Sequence, residues 1–200
     1  MINLIDNQYL GSLIYYKSLY SSKYIELEAY DRHQKSGFSN RCYIAGANGL
    51  ITLSIPLLKG RNQKSLVNEI EIDNQQKWQI KHWRAMESSY MRSPWFEFYK
   101  DDLKQFYEKE YRYLFEWNKD LFIYILKKID WNGELSLTSD YEQIPADKID
   151  IRNTILPKNY LLFPVIKYPQ VFEEKLGFLP NLSIIDLLFC CGKNANSYLI

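Results

Sequence analysis

A lone acid, Asp186, stands inside the most apolar stretch of the chain, Ser183–Phe189 within GFLPNLSIIDLLFCCG. A carboxylate there is costly to bury without donors, so it is either a structural anchor or part of a site. Asn181 and Ser183 lie just upstream, and the local backbone N–H groups, Arg41 or Arg152 could hold it. His82, in Lys81-His82-Trp83, could serve as a general base near neutral pH. Trp78, four residues earlier, shares its helical face. The plainer alternative for His82 is a buried, hydrogen-bonded core residue. In KSGFSNR, Lys35 and Arg41 flank Asn40. Arg41 can grip a carboxylate or phosphate with parallel bonds, and Lys35 adds a mobile point charge. The alternative is a solvated loop with Arg41 paired to Glu26, Glu28 or Asp31. Cys42 follows Arg41, whose charge could lower the thiol pKa. Successive strand residues face opposite sides, however, so a Cys42–His82 pair needs a contact that the sequence does not encode. Glu26 and Glu28 share a strand face without any partner at a fixed spacing. Arg152, Pro157 and Lys158 form a second basic spot. GANG (Gly46–Gly49) matches neither a P-loop nor a dinucleotide turn.

These residues must be positioned by regular elements. Ile2–Ile5 reads as a buried strand, Tyr9–Tyr20 as a helix and Lys23–Ala29 as an alternating strand, a βαβ opening with a parallel pair. Arg41–Ala45 and Leu50–Ile55 read as a hairpin turning on Asn48-Gly49 in type I′ geometry. VNEIEI, within Leu66–Ile72, alternates and predicts a further strand. Three helices follow: Asn74–Arg92, one starting near Pro94 with Ser93 as cap, and about Arg112–Ile129. Leu135–Thr138 suits an edge strand. The stretch 139–170, with Pro145, Pro157, Pro164 and Pro169, reads as a long irregular segment. Val171–Lys175 suits a short helix, and Ser183–Cys191 a buried one stopped by Gly192. The expected architecture is a single α/β domain spanning residues 1–200. It is layered, with a mixed β-sheet opening with a βαβ unit, a central helical region and a C-terminal buried helix.

The bulk properties narrow the function classes. Hydrophobic residues are 46% of the chain, enough for a full core. The formal net charge of +1 gives no support to a broad nucleic-acid or anionic-membrane surface. No apolar run approaches a membrane-spanning length, and the start lacks the features of a signal peptide, so a cytoplasmic location is expected. Cys42, Cys190 and Cys191 read as reduced thiols. No CxxC, HxxxH or HExxH pattern points to a metal site. The residues name no cofactor and no oligomeric state. Seventeen Tyr and five Trp suit ring stacking or, more simply, an aromatic core.

Several ordered blocks resemble the WbqC-like family: YLGSLIYYKSLY, KSGFSNRC with NGLITLSIPL, WQIKHWRAMESSY with PWFEFY, DIRNTILPKN, and YPQVFEEKLGFLPNLSIIDLLF. Lys35, Asn40, Arg41, Trp78, His82, Trp83, Tyr90, Asp186 and Gly192 stand at positions the family pattern expects. The chain departs from that pattern at Ile5-Asp6-Asn7-Gln8, where a Pro-containing turn is usual, and at Ser12. The resemblance implies an accessory enzyme of bacterial surface-polysaccharide (O-antigen-type) biosynthesis, such as a group transferase acting on a nucleotide-sugar or sugar precursor. In that reading His82 and Asp186 are catalytic, and Lys35, Asn40, Arg41, Trp78, Trp83 and Tyr90 bind substrate. The alternative is a non-catalytic module that binds a glycan or a protein partner. A thermal-shift screen separates them: nucleotide-sugars or acyl donors stabilise the enzyme, glycans or a partner alone the module.

Overall fold

The computed structural model of the chain describes residues 1–143 and 147–200. β1 (Ile2–Ile5), α1 (Leu13–Tyr20) and β2 (Tyr24–Leu27) form the expected βαβ unit, with Ile2 opposite Tyr24 and Ile5 opposite Leu27 in a parallel register. Leu4, Ile5, Ile25 and Leu27 are buried, so the short strands are held by their apolar positions. The antiparallel hairpin β3 (Arg41–Gly46) and β4 (Gly49–Ser54) forms a separate two-stranded sheet. Parallel and antiparallel pairs therefore occupy different sheets. Gly46 pairs with Gly49, so the loop residues are Ala47 and Asn48, one position earlier than expected. Only Gly49 takes a positive φ there, +122°, which replaces the expected type I′ turn.

The alternation across Leu66–Ile72 is not a strand. Val67–Glu69 is a 3₁₀ turn, and Ile70 and Ile72 are buried through isolated contacts of an irregular segment. The central helices are α2 (Trp78–Tyr90), α3 (Phe96–Glu108) and α4 (Leu114–Lys128). Asn74–Gln76 is a separate 3₁₀ turn, and Lys77 at φ +48° breaks it from α2. Ser93 does not cap α3; its hydroxyl donates to the Tyr90 carbonyl at 2.7 Å, and Trp95 holds the cap position.

β5 (Glu134–Leu137) pairs with β2 as the expected edge strand. β6 (Lys148–Asp150) lies in the segment expected to be irregular and pairs with β1 on its other side. Pro145, placed in that segment from sequence, lies outside the described residues. The parallel sheet has the order β5-β2-β1-β6. The chain steps outward from β1 to β2 to β5, then returns to the far side of β1. Crevices form beyond the C-terminal ends of strands where such an order reverses. After α5 (Glu173–Leu176), α6 (Ile184–Cys191) runs through the core, with Ile184–Phe189 wholly buried. Gly192 ends it at φ +57°. Among the described residues, no helix is long and apolar enough to cross a membrane.

Candidate functional site

The side chains expected to form one centre divide into separate groups. His82 is buried on α2, and its Nδ1 lies 2.9 Å from the Tyr9 hydroxyl. That hydroxyl is 2.8 Å from the Tyr107 hydroxyl. Burial pushes the imidazole down to about 4, and a hydrogen bond to the Ser54 backbone pulls it partly back. A neutral imidazole is the form that suits this aromatic surrounding. Trp78 packs edge-on against Trp117, with centroids 5.0 Å apart, and its indole N–H donates to Asn74.

Asp186 lies in a second network. It accepts from the Tyr90 hydroxyl at 2.6 Å and the Tyr168 hydroxyl at 2.8 Å. Neither Arg41 nor Arg152 holds it. With neutral donors only, burial raises its pKa to about 6, and the two tyrosines partly offset the shift. Tyr90 also accepts from the Ala45 N–H, so it ties α6 to β3 through α2. Asn40 clips β4 by donating to the Ile55 carbonyl at 2.9 Å. Trp83 borders a groove of about 640 Å³ between α2 and α3, with Tyr107 and Arg84. Burial raises the Cys42 thiol, opposite to the effect expected from Arg41.

The pH response of the two buried networks has opposite sign. Asp186 ionises near 3.8 when unfolded and near 6 when folded, so its contribution is fully present at low pH and is lost as pH rises through about 6. His82 does the reverse, losing stability as pH falls from 6.5 through about 4. Asp186→Asn removes the first effect and keeps an amide that can meet both tyrosine hydroxyls. The unfolding free energy of the variant relative to the parent should rise by about 2 kcal/mol between pH 4 and pH 7. Urea titrations across that range measure it, and parallel profiles would refute the buried-acid account.

A different set of residues meets at the C-terminal edge of the parallel sheet. A narrow crevice is lined there by Asp6 and Asn7 after β1, Glu28 after β2, and Asn153 after β6. Gln34 and Ser39 close it from the loop before β3. Asp31 and Arg32 continue into a shallower groove walled by Tyr30 and Tyr141. Asp6 is half-buried and accepts from the Gln8 amide at 3.0 Å and the Asn153 N–H at 3.2 Å. Burial raises it to about 6, and the nearby Asp31 charge adds to the shift. A small cavity shares Asn7, Ser39 and Val67 with the crevice and is also lined by His33 and Asn118. Asn7 Oδ1, Ser39 Oγ, Asn118 Oδ1 and both His33 ring nitrogens are buried without a protein partner among the described residues. Buried polar atoms are nearly always satisfied, and in so small a space a bound water is what completes such hydrogen bonds.

Lys35 and Arg41 belong to the loop that closes the crevice but do not line it. Arg41 donates to the Lys35 carbonyl, and burial, aided by the Arg41 charge, lowers the pKa of His33. Glu28 does not pair with Arg41. It binds Arg152 at 2.6 Å, and Arg152 also grips Asp150, which leaves Lys158 as the exposed cation of the basic spot expected there. From sequence, Asp6 and Asn7 stand out only as part of a departure from the family pattern and Asp31 only as a candidate partner of Arg41, while His33 and Asn153 carry no site role. The available signal was positional: the turn after the first strand of a βαβ unit is where such folds meet ligands.

The fold and crevice define an α/β protein with a polar site at the C-terminal edge of a parallel sheet. The chain belongs to the WbqC-like protein family, whose model matches residues 8–158 and 158–198. No curated protein and no solved structure matches it.

Proposed function

We propose that the chain is an accessory enzyme of bacterial surface-polysaccharide synthesis that transfers a small group to a nucleotide-sugar or related sugar precursor in the crevice. The observation that carries this reading is Asp6, a desolvated but reachable carboxylate with a pKa near 6, surrounded by amides with free hydrogen-bonding capacity. Carboxylates and amides suit sugar hydroxyls or an amine. The phosphates would sit outward, toward Arg32, Lys35 and Arg41, because acids crowd the deep end. Tyr30 and Tyr141 offer rings for a nucleobase to stack on.

In the reaction, Asp6 accepts the proton of a sugar hydroxyl or amine as that atom attacks an activated donor such as an acyl thioester. The new bond forms to the acyl carbon, and the thiolate leaves with the electron pair. His82, Asp186, Asn40, Trp78 and Tyr90 act in this reading as supports of the scaffold, not as reacting groups.

A thermal-shift screen of nucleotide-sugars and acyl donors, followed by turnover assays on any stabilising pair, tests the proposal. Asp6→Asn should lower turnover about a hundredfold and retain binding, the low end of general-base effects. Arg32→Ala should weaken binding of the phosphorylated ligand and leave an uncharged glycan unaffected. Protection by a glycan without turnover would favour the binding module. Turnover unchanged in Asp6→Asn would remove the crevice from the chemistry.

A further inference from the structure

The segment after the crevice wall presents apolar side chains to solvent. Tyr160–Leu162 is a single 3₁₀ turn, followed by Phe163, Pro164, Val165 and Ile166. Leu162 is 84% exposed, Leu161 53% and Val165 50%. Scattered exposed aliphatics are ordinary, but a run of them on one short stretch is not.

The run is rooted. Tyr160 is buried and its carbonyl accepts from the Asn181 side chain at 2.8 Å, while Phe163 and Ile166 pack against the core. The Asn159 side chain accepts from the Leu156 N–H and donates to the Thr154 carbonyl. Leu161, Leu162 and Val165 are therefore held outward by a fixed base, with little further ordering needed on docking.

The local charge says what such a surface fits. Between Asp150 and the exposed Glu173-Glu174 the chain carries no acid, but it carries Arg152, Lys158 and Lys167. Arg152 is consumed by Glu28 and Asp150. Lys158 and Lys167 are exposed and flank the apolar run on both sides. Apolar side chains between lysines that have no acidic partner among the described residues match the interface of a bilayer with anionic headgroups, where aliphatics enter the acyl boundary and ammonium groups stay at headgroup level.

We infer that Leu161, Leu162 and Val165, flanked by Lys158 and Lys167, dock the protein peripherally on an anionic lipid surface. The inference does not depend on the crevice chemistry and involves no membrane span. Co-sedimentation of the full chain with phosphatidylcholine vesicles, with and without about one-third phosphatidylglycerol, tests it. The parent should bind the anionic vesicles and bind the neutral ones weakly. Leu161→Ser with Leu162→Ser should lower the partition coefficient at least about tenfold on both, as expected for losing inserted aliphatic area. Each of Lys158→Gln and Lys167→Gln should lower it about fivefold on anionic vesicles only. All four positions are exposed, so an unchanged melting temperature confirms that the variants are folded. Absence of parent binding, or binding unaffected by the leucine substitutions, would overturn the inference. A concentration-dependent dimer of the parent that dissolves in the leucine variant would also overturn it, because a second copy would then cover the surface.

Discussion

Arg152→Met should cost the fold about 3–5 kcal/mol, the range for removing one partner of a buried ion pair. The Arg152 side chain is 5% exposed and that of Glu28 is 2% exposed, so little water reaches the pair while it is intact. Arg152 Nη1 donates to Glu28 Oε2 at 2.6 Å, and this is the donor that Oε2 has among the described residues. Glu28 Oε1 keeps the Tyr30 N–H and the Thr138 hydroxyl. The remaining Arg152 bonds reach Asp150 and the Glu142 carbonyl. Asp150 is one-third exposed, so that pair contributes less. The guanidinium thus ties the end of β6 to the end of β2 across β1, the strand that delivers Asp6 to the crevice. Urea unfolding at neutral pH measures the loss. Adding Glu28→Gln to the Arg152→Met chain should restore part of it by removing the stranded charge. A loss below about 1 kcal/mol would mean that the pair is solvated like a surface bridge.

Gly192→Ala should lower stability by about 4 kcal/mol, and the melting temperature by roughly 8–16 °C for a chain of this size. Two costs combine. Gly192 sits at φ +57°, ψ −128°, a region that a side-chain-bearing residue adopts only with strain. A Cβ there would stand 2.1 Å from Trp95 Cδ2 and 2.3 Å from Cε2. The Trp95 backbone N–H donates to the Phe189 carbonyl of α6 at 3.0 Å, so the main chain that carries the ring is fixed beside Gly192. The double variant with Trp95→Ala should relieve the clash but not the backbone strain, and so recover only part of the loss. A melting temperature within about 2 °C of the parent would show that the end of α6 yields easily.

Elements whose own residues carry the pattern were legible. Ile2–Ile5 and the alternation of Lys23–Ala29 gave the βαβ unit, and Asn48-Gly49 gave the hairpin to within one residue. The apolar run to Cys191 gave a buried helix with its stop at Gly192. The alternation of Leu66–Ile72 misled, because burial of Ile70 and Ile72 creates a period of two without a ladder. Lys148–Asp150 gave no signal, since a three-residue polar strand exists only through its pairing with β1.

The candidate site was the least legible part. His82, Asp186, Trp78 and Tyr90 drew attention as polar or aromatic groups in apolar settings. Such settings more often hold a satisfied core residue than a reacting one, and their partners here are tyrosine hydroxyls, a tryptophan and backbone groups. Asp6, Asn7 and Asn153 are ordinary in sequence and become distinctive only through the strand order.

The sequence by itself determined the family, the α/β class, the opening unit and the buried tail helix, because periodicity, turn chemistry and ordered motif blocks are local properties. Only the tertiary structure decided which polar groups share a space. Asp6 and Asn153 lie 147 positions apart. Their meeting follows from β6 returning to the far side of β1, and pairing over that distance is set by packing and sheet order, which no local pattern encodes.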